Sequence, residues 1–111
     1  MVAPTTTVER RASVRYACRA HARVSVAQTI GHALGVQARV RDISTGGISL
    51  IMSQWFGPGT ILEIEFARGE ARSQRAFTAS VMHATLLPDG EWFLGCALVD
   101  HLDPSHLREF I

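Results

Sequence analysis

Apolar residues recur at every second position in one segment of this chain after another, with glycine- or proline-marked breaks between segments. Such a pattern builds sheet rather than helix, because alternate side chains of a strand share a face. From Ala20 to Gln28, the residues Ala20, Ala22, Val24 and Val26 face one way and His21, Arg23 and Ser25 the other. Gly35 to Arg41 repeats this with Val36, Ala38 and Val40 against Gln37, Arg39 and Arg41, and Gly31-His32-Ala33-Leu34-Gly35 supplies the hairpin loop between them. Gly47 to Ser53 makes a third strand with Ile48, Leu50 and Met52 inward, ended by Gly57-Pro58-Gly59. Thr60 to Phe66 alternates Leu62, Ile64 and Phe66 with Glu63 and Glu65. A fifth strand is expected from about Gln74 to Leu86, with Phe77, Ala79, Val81 and His83 on one face. After the turn Pro88-Asp89-Gly90, Glu91 to Val99 forms a sixth, apolar on both faces as suits a strand whose outer side is covered.

Asp103-Pro104 then has the form of a helix N-cap followed by a first-turn proline, with Leu102 and Leu107 spaced as a hydrophobic staple. The short helix runs to about Ile111 and puts Leu107, Phe110 and Ile111 on one face, to cover a barrel mouth or an exposed sheet face. Six short strands in a chain of this length would expose long edges if the sheet stayed open. The expected fold class is therefore all-β: a six-stranded antiparallel β-barrel with a flexible N-terminal arm and a short C-terminal helix. Residues 1–9 read as a disordered tail and residues 10–111 as a single barrel domain.

The bounds on function come from charge and cysteine. The chain has 111 residues and a formal net charge of +1, so any basic function must be local. All 11 basic side chains are arginine, each a planar fork able to engage phosphate or a guanine edge in bidentate fashion. Cys18 and Cys96 have no metal-ligand spacing and form no disulfide framework, and they read as reduced thiols. No signal peptide or membrane-spanning run is visible, so a cytoplasmic location is expected. The five histidines, His21, His32, His83, His101 and His106, show no metal spacing and read as structural or surface groups; no metal is expected.

Two elements carry chemistry. Arginines spaced R-x-x-x-R occur at Arg11/Arg15, Arg15/Arg19, Arg19/Arg23 and Arg68/Arg72, and only position separates them. Arg19 and Arg23 belong to the first strand, Arg68 and Arg72 flank a hairpin turn, and Arg10, Arg11 and Arg15 precede the strand on an arm able to fold over a ligand. The second element is D-x-S-x-x-G at Asp42, Ser44 and Gly47, at the turn between the second and third strands. A purely structural turn would use the same residues, since Asp and Ser side chains bond nearby backbone and adjacent glycines permit positive φ.

An R-x-x-x-R pair just before the first strand, with D-x-S-x-x-G following after 26 intervening residues, resembles the PilZ domain. Gly59-Thr60-Ile61-Leu62-Glu63-Ile64 is similar to that family's strand after a glycine turn, Gly95-Cys96-Ala97-Leu98 to its final strand, and Leu107-Arg108-Glu109-Phe110 to its closing helix. The resemblance implies a six-stranded barrel that acts as a receptor for the bacterial second messenger cyclic di-GMP, without catalysis and without a cofactor. It implies that Arg11 and Arg15 take the guanine Hoogsteen edge and the phosphates. Asp42 and Ser44 would bond other polar edges of the ligand, and Gly46 and Gly47 would let the backbone approach it. Arg10, just before the first motif arginine, goes in this family with binding an intercalated ligand dimer.

Arg39 and Arg41 lead into Asp42 on the outward face of the second strand and are candidate secondary contacts, with a solvated face as the alternative. Trp92 is a further candidate contact by base stacking, against a core role as the commoner fate of a tryptophan in an apolar strand. Ser44 lies in no nucleophile elbow. The function expected is a non-enzymatic receptor: ligand orders the arginine arm, and the altered surface signals to a protein partner in trans. The alternatives are an adaptor that binds only a protein partner and a small nucleic-acid-binding barrel using Arg19, Arg23, Arg39 and Arg41.

Overall fold

A computed structural model of the chain describes residues 14–27, 35–66 and 76–111. The strands are β1 (Tyr16–Val26), β2 (Val36–Ile43), β3 (Gly47–Met52), β4 (Ile61–Phe66), β5 (Ala76–Leu86) and β6 (Trp92–Leu98). They close into an antiparallel barrel in the order β1-β2-β3-β6-β5-β4, with β4 pairing back onto β1. The alternation read from sequence is the alternation of burial. Ala20, Ala22 and Val24, then Ala38 and Val40, then Ile48, Leu50 and Met52, then Leu62, Ile64 and Phe66 all point into the core, while Val26, expected on the inward face, is exposed at the end of β1. Closure leaves no strand edge unpaired along the wall, which removes the aggregation hazard of an open sheet.

Besides a register shift in β1 between Ala17 and Ala20, two bulges interrupt this regularity. Between β2 and β3, Val40 pairs with Leu50 and Asp42 with Ser49, so Arg41 is an extra residue. A bulge of this kind turns the following side chain through to the other face. Arg41 is exposed, Asp42 is half-buried on the same outer side, and Ile43 returns to the core. The second bulge lies in β5, where Val81 pairs with Cys96 and His83 with Gly95, leaving Met82 extra. His83 was expected to share the face of Phe77, Ala79 and Val81, and here the structure differs: those three are buried, while Met82 and His83 are both exposed. The first strand begins at Tyr16 rather than Ala20, so Arg15 stands directly at its start.

The helix is shorter than its sequence suggested, a single turn α1 (Pro104–Leu107) continued as a 3-10 turn over Arg108–Phe110. Asp103 caps it, its Oδ1 accepting from the Ser105 amide at 2.9 Å, with Pro104 in the first turn. Leu102 and Leu107 are both buried, as a staple requires. Phe110 packs on Phe66 and Phe77, with ring centroids 4.5 and 5.3 Å away, and Ile111 is exposed instead of joining that face. Phe66 ends β4 and Phe77 opens β5, so the helix plugs one mouth of the barrel. The start of β3 and the end of β6 lie at that same mouth. The expected tail 1–9, the arm residues Arg10 and Arg11, the loop residues 31–34, and Arg68 and Arg72 lie outside the described residues.

Candidate functional site

The turn between β2 and β3 is smaller than the six-residue span Asp42–Gly47, because Asp42 and Ile43 belong to β2 and Gly47 opens β3. Ser44 organises what remains. Its Oγ accepts from the amides of Gly47 at 3.0 Å and Gly46 at 3.3 Å, while its own amide donates to the Gly47 carbonyl at 2.9 Å. The side chain is buried, so these bonds replace water that cannot reach it. Neither Gly46 nor Gly47 has positive φ, in contrast to Gly59 and Gly90. Gly47 is there for close approach: a Cβ on it would stand 3.1 Å from the Cys96 carbonyl oxygen across the β3/β6 pair.

The end of β6 and the segment that follows it clamp the turn from its other side. The Leu98 amide donates to the Gly46 carbonyl at 2.9 Å and the Leu102 amide to the Thr45 carbonyl at 2.8 Å. The turn is thus tied to the segment that leads into the mouth-plugging helix.

Asp42 is held on the outer face by Ser49, whose Oγ donates to Asp42 Oδ1 at 2.8 Å. Ser49 is directly opposite it on β3 and is buried. The bulge at Arg41 makes this pairing, because unbroken alternation after Val40 would have turned Asp42 into the core.

Beside the turn lies a cavity of about 350 Å³. Its lining brings together Arg15 from the start of β1 with Ser44, Gly46 and Gly47 from the turn. These are four of the seven residues singled out as principal ligand contacts. Arg10 and Arg11 lie outside the described residues, and Asp42 reaches the lining through Ser49, which is part of it. Ser49, Met82, His83, Gly95, Cys96 and His101 also line it and were not singled out as contacts. No spacing could have pointed to them, since they are gathered by cross-strand register, by a bulge and, for His101, by the bond from the Leu102 amide to the turn. The His83 ring lies over Gly95, where a side chain would overlap the imidazole, and it stacks on Phe93 at 5.8 Å between centroids with an interplanar angle of 23°. Burial in the core pushes the Cys96 thiol up to about 12, from an ordinary value of 9.0, so it is a neutral S–H at physiological pH. Cys18 and Cys96 are both buried and no disulfide joins them.

The secondary candidates fall elsewhere. Arg39 is paired with Glu91 at 2.7 Å on the outer wall. Arg41 lies over the Phe93 ring, 5.3 Å from its centroid. Trp92, at the opposite end of β6 from the turn, packs partly buried against the core and tilts against Trp55 with ring centroids 6.4 Å apart. Among the described residues no group of three or more His, Cys, Asp or Glu side chains is placed to hold a metal, and no helix is long and apolar enough to cross a membrane.

Comparison with known proteins agrees with this architecture. The family model for the PilZ domain matches residues 9–111. Among solved structures the chain is similar to one titled Bacillus subtilis inhibitor of motility (MotI/DgrA), with a TM-score of 0.65 at 16% sequence identity over 91% of this chain. At that identity the likeness is one of fold, and the match spans about half (48%) of the other chain. No curated sequence matches the chain. With a family model covering nearly its whole length and the closed six-stranded barrel to go with it, the chain belongs to the PilZ domain family.

Proposed function

We propose that this protein is a cyclic di-GMP receptor that acts by binding and not by catalysis. The observation that carries the proposal is the cavity beside the β2–β3 turn, where Arg15 meets Ser44, Gly46 and Gly47 although 28 residues intervene in sequence between Arg15 and Ser44, the nearest of them. Its volume of about 350 Å³ is in the range of small-molecule sites. Arg15 supplies a forked cation for a guanine edge or phosphate. Asp42, fixed outward by Ser49, supplies an acceptor for guanine N–H groups. Ser44 holds the turn's backbone in place, a supporting part in the site in addition to any direct contact.

In this reading Arg10 and Arg11 join Arg15 on the ligand, and Arg10 favours an intercalated ligand dimer. The arginine-dense arm repels itself without ligand, and an anionic ligand removes that repulsion, so binding orders the arm and presents a changed surface to a protein partner in trans. The nucleic-acid alternative draws less support from the wall, where Arg39 is engaged by Glu91 and Arg23 stands opposite the acidic Glu65 in the β1/β4 register. Titration calorimetry with cyclic di-GMP, with GTP and cyclic di-AMP as controls, tests the proposal and gives stoichiometry. Arg15→Ala and Asp42→Ala should each weaken binding sharply while circular dichroism shows the barrel intact. Unchanged affinity in both variants would sink it.

A further inference from the structure

Two imidazoles share the cavity with Arg15. His83 is carried there by the bulge at Met82 and lies over Gly95 on the outer face of the barrel. His101 precedes Leu102, whose amide is bonded to the Thr45 carbonyl, so it is fixed close to the turn. Both side chains are exposed and therefore accessible to protons and to a ligand. No carboxylate is among the described residues that line the cavity.

The charged and titratable groups around the two rings can be named strand by strand. Arg15 comes from the start of β1, Arg41 from β2 by way of the Phe93 ring, and Asp42 from β2 with Oδ1 held by Ser49. Cys96 on β6 is among the lining residues and its thiol, buried in the core, is neutral, and Asp100 and Asp103 flank His101 in sequence, Asp103 being the helix cap. Among the described residues that line the cavity, an anionic ligand meets one guanidinium, that of Arg15, and two imidazoles, and imidazole is the side chain that ordinarily changes protonation between about pH 5 and 8.

We infer that His83 and His101 contact the anionic ligand of this cavity and that binding is coupled to proton uptake, so the protein responds to ligand concentration and pH together. The inference rests on the cyclic di-GMP reading of the same cavity. A phosphodiester beside an imidazole favours the imidazolium. By linkage, protonation then tightens binding as much as the ligand favours protonation. The ligand's phosphodiesters and guanines keep their ionisation across this pH range, which leaves the histidines as the proton acceptors.

Calorimetry of the full chain with cyclic di-GMP at about pH 5.5 and about pH 8 reads the coupling, and a mid-range pH in two buffers of different ionisation enthalpy counts the protons. Wild type should bind about tenfold more tightly at the lower pH, the effect of one pKa unit at a single imidazole, and take up protons at the mid-range pH. The double variant His83→Gln, His101→Gln keeps polar side chains that do not titrate; whatever its absolute affinity, its pH ratio should fall to about one and its proton uptake should be abolished. Wild-type binding that is equally tight at both pH values overturns the inference and leaves the receptor reading intact. So does a double variant that retains the full pH ratio. Absence of wild-type binding at both pH values overturns the receptor reading and this inference with it.

Discussion

Asp42 and His83 bound a four-residue stretch of one cross-strand row on the outer wall of the barrel: Asp42 pairs with Ser49, Ser49 with Gly95, and Gly95 with His83, and the row runs on from Asp42 to Ala17 of β1. Each end residue is put on that wall by a bulge, at Arg41 on one side and Met82 on the other. The two positions between them carry a hydroxymethyl group and a hydrogen, so the floor of the stretch is low while its ends carry chemistry. Bulges concentrate at sites where a side chain has to be re-aimed, and two of them serving one row is a reason to regard the row as a built surface.

Gly95→Ala tests the low floor. An added methyl overlaps the His83 ring, which can swing away because it is the far end of a side chain. The variant should fold with a stability change of about 1 kcal/mol or less. Its His83 imidazole should lose the ring-current shift that Phe93 imposes, which a proton NMR spectrum of the histidines will show. An unchanged His83 resonance would mean that the ring does not rest on the glycine in solution.

Ser44→Ala removes the acceptor of two turn amides in a buried position. Leaving buried donors unsatisfied costs about 1–3 kcal/mol, so the variant should unfold at a clearly lower urea concentration. Ser44→Thr keeps the oxygen and should recover part of the loss. If Ser44→Ala were as stable as wild type while losing ligand, the hydroxyl would be a ligand contact alone.

Much of the barrel was legible because burial in a closed sheet enforces period two, and the inward positions of β3 and β4, and of β1 as far as Val24, read correctly from apolar alternation. The helix cap was legible for a similar reason, as Asp103 and Pro104 act on backbone within two residues. The bulges were not. An extra residue is defined by the strand across from it, and nothing local to Val81-Met82-His83 announces that the parity breaks there. The same limit hid Ser49, whose importance comes from standing opposite Asp42, and the two histidines of the cavity. The turn motif itself was legible as residues and ambiguous as chemistry, and its hydrogen bonds show Ser44 supporting the turn at the edge of the cavity.

Glu91→Gln separates the outer wall from the cavity. It removes the ion pair with Arg39, whose side chain is 55% exposed, and a pair so placed contributes little. Stability should change by less than about 1 kcal/mol, and cyclic di-GMP affinity by less than about twofold. A large loss of affinity would bring Arg39 into the ligand surface.

Cys96 predicts an alkaline weakness of the fold. Its thiol is raised from 9.0 to about 12 by burial, so above pH 9 the unfolded chain gives up a proton that the folded chain keeps. The unfolded state then binds fewer protons, and stability must fall as pH rises from about 9 towards 12, while below 9 the residue contributes its full share. At about pH 10.5 the loss is about 2 kcal/mol, from the difference of roughly one and a half pH units. The chain has no lysine, so few other groups titrate there to mask the effect. Urea midpoints measured at about pH 8 and about pH 10.5 should diverge in wild type and diverge less in Cys96→Ala, whose lower absolute stability does not enter the comparison of slopes. Equal pH dependence in the two proteins would show that the thiol ionises in the folded state as readily as in the unfolded one.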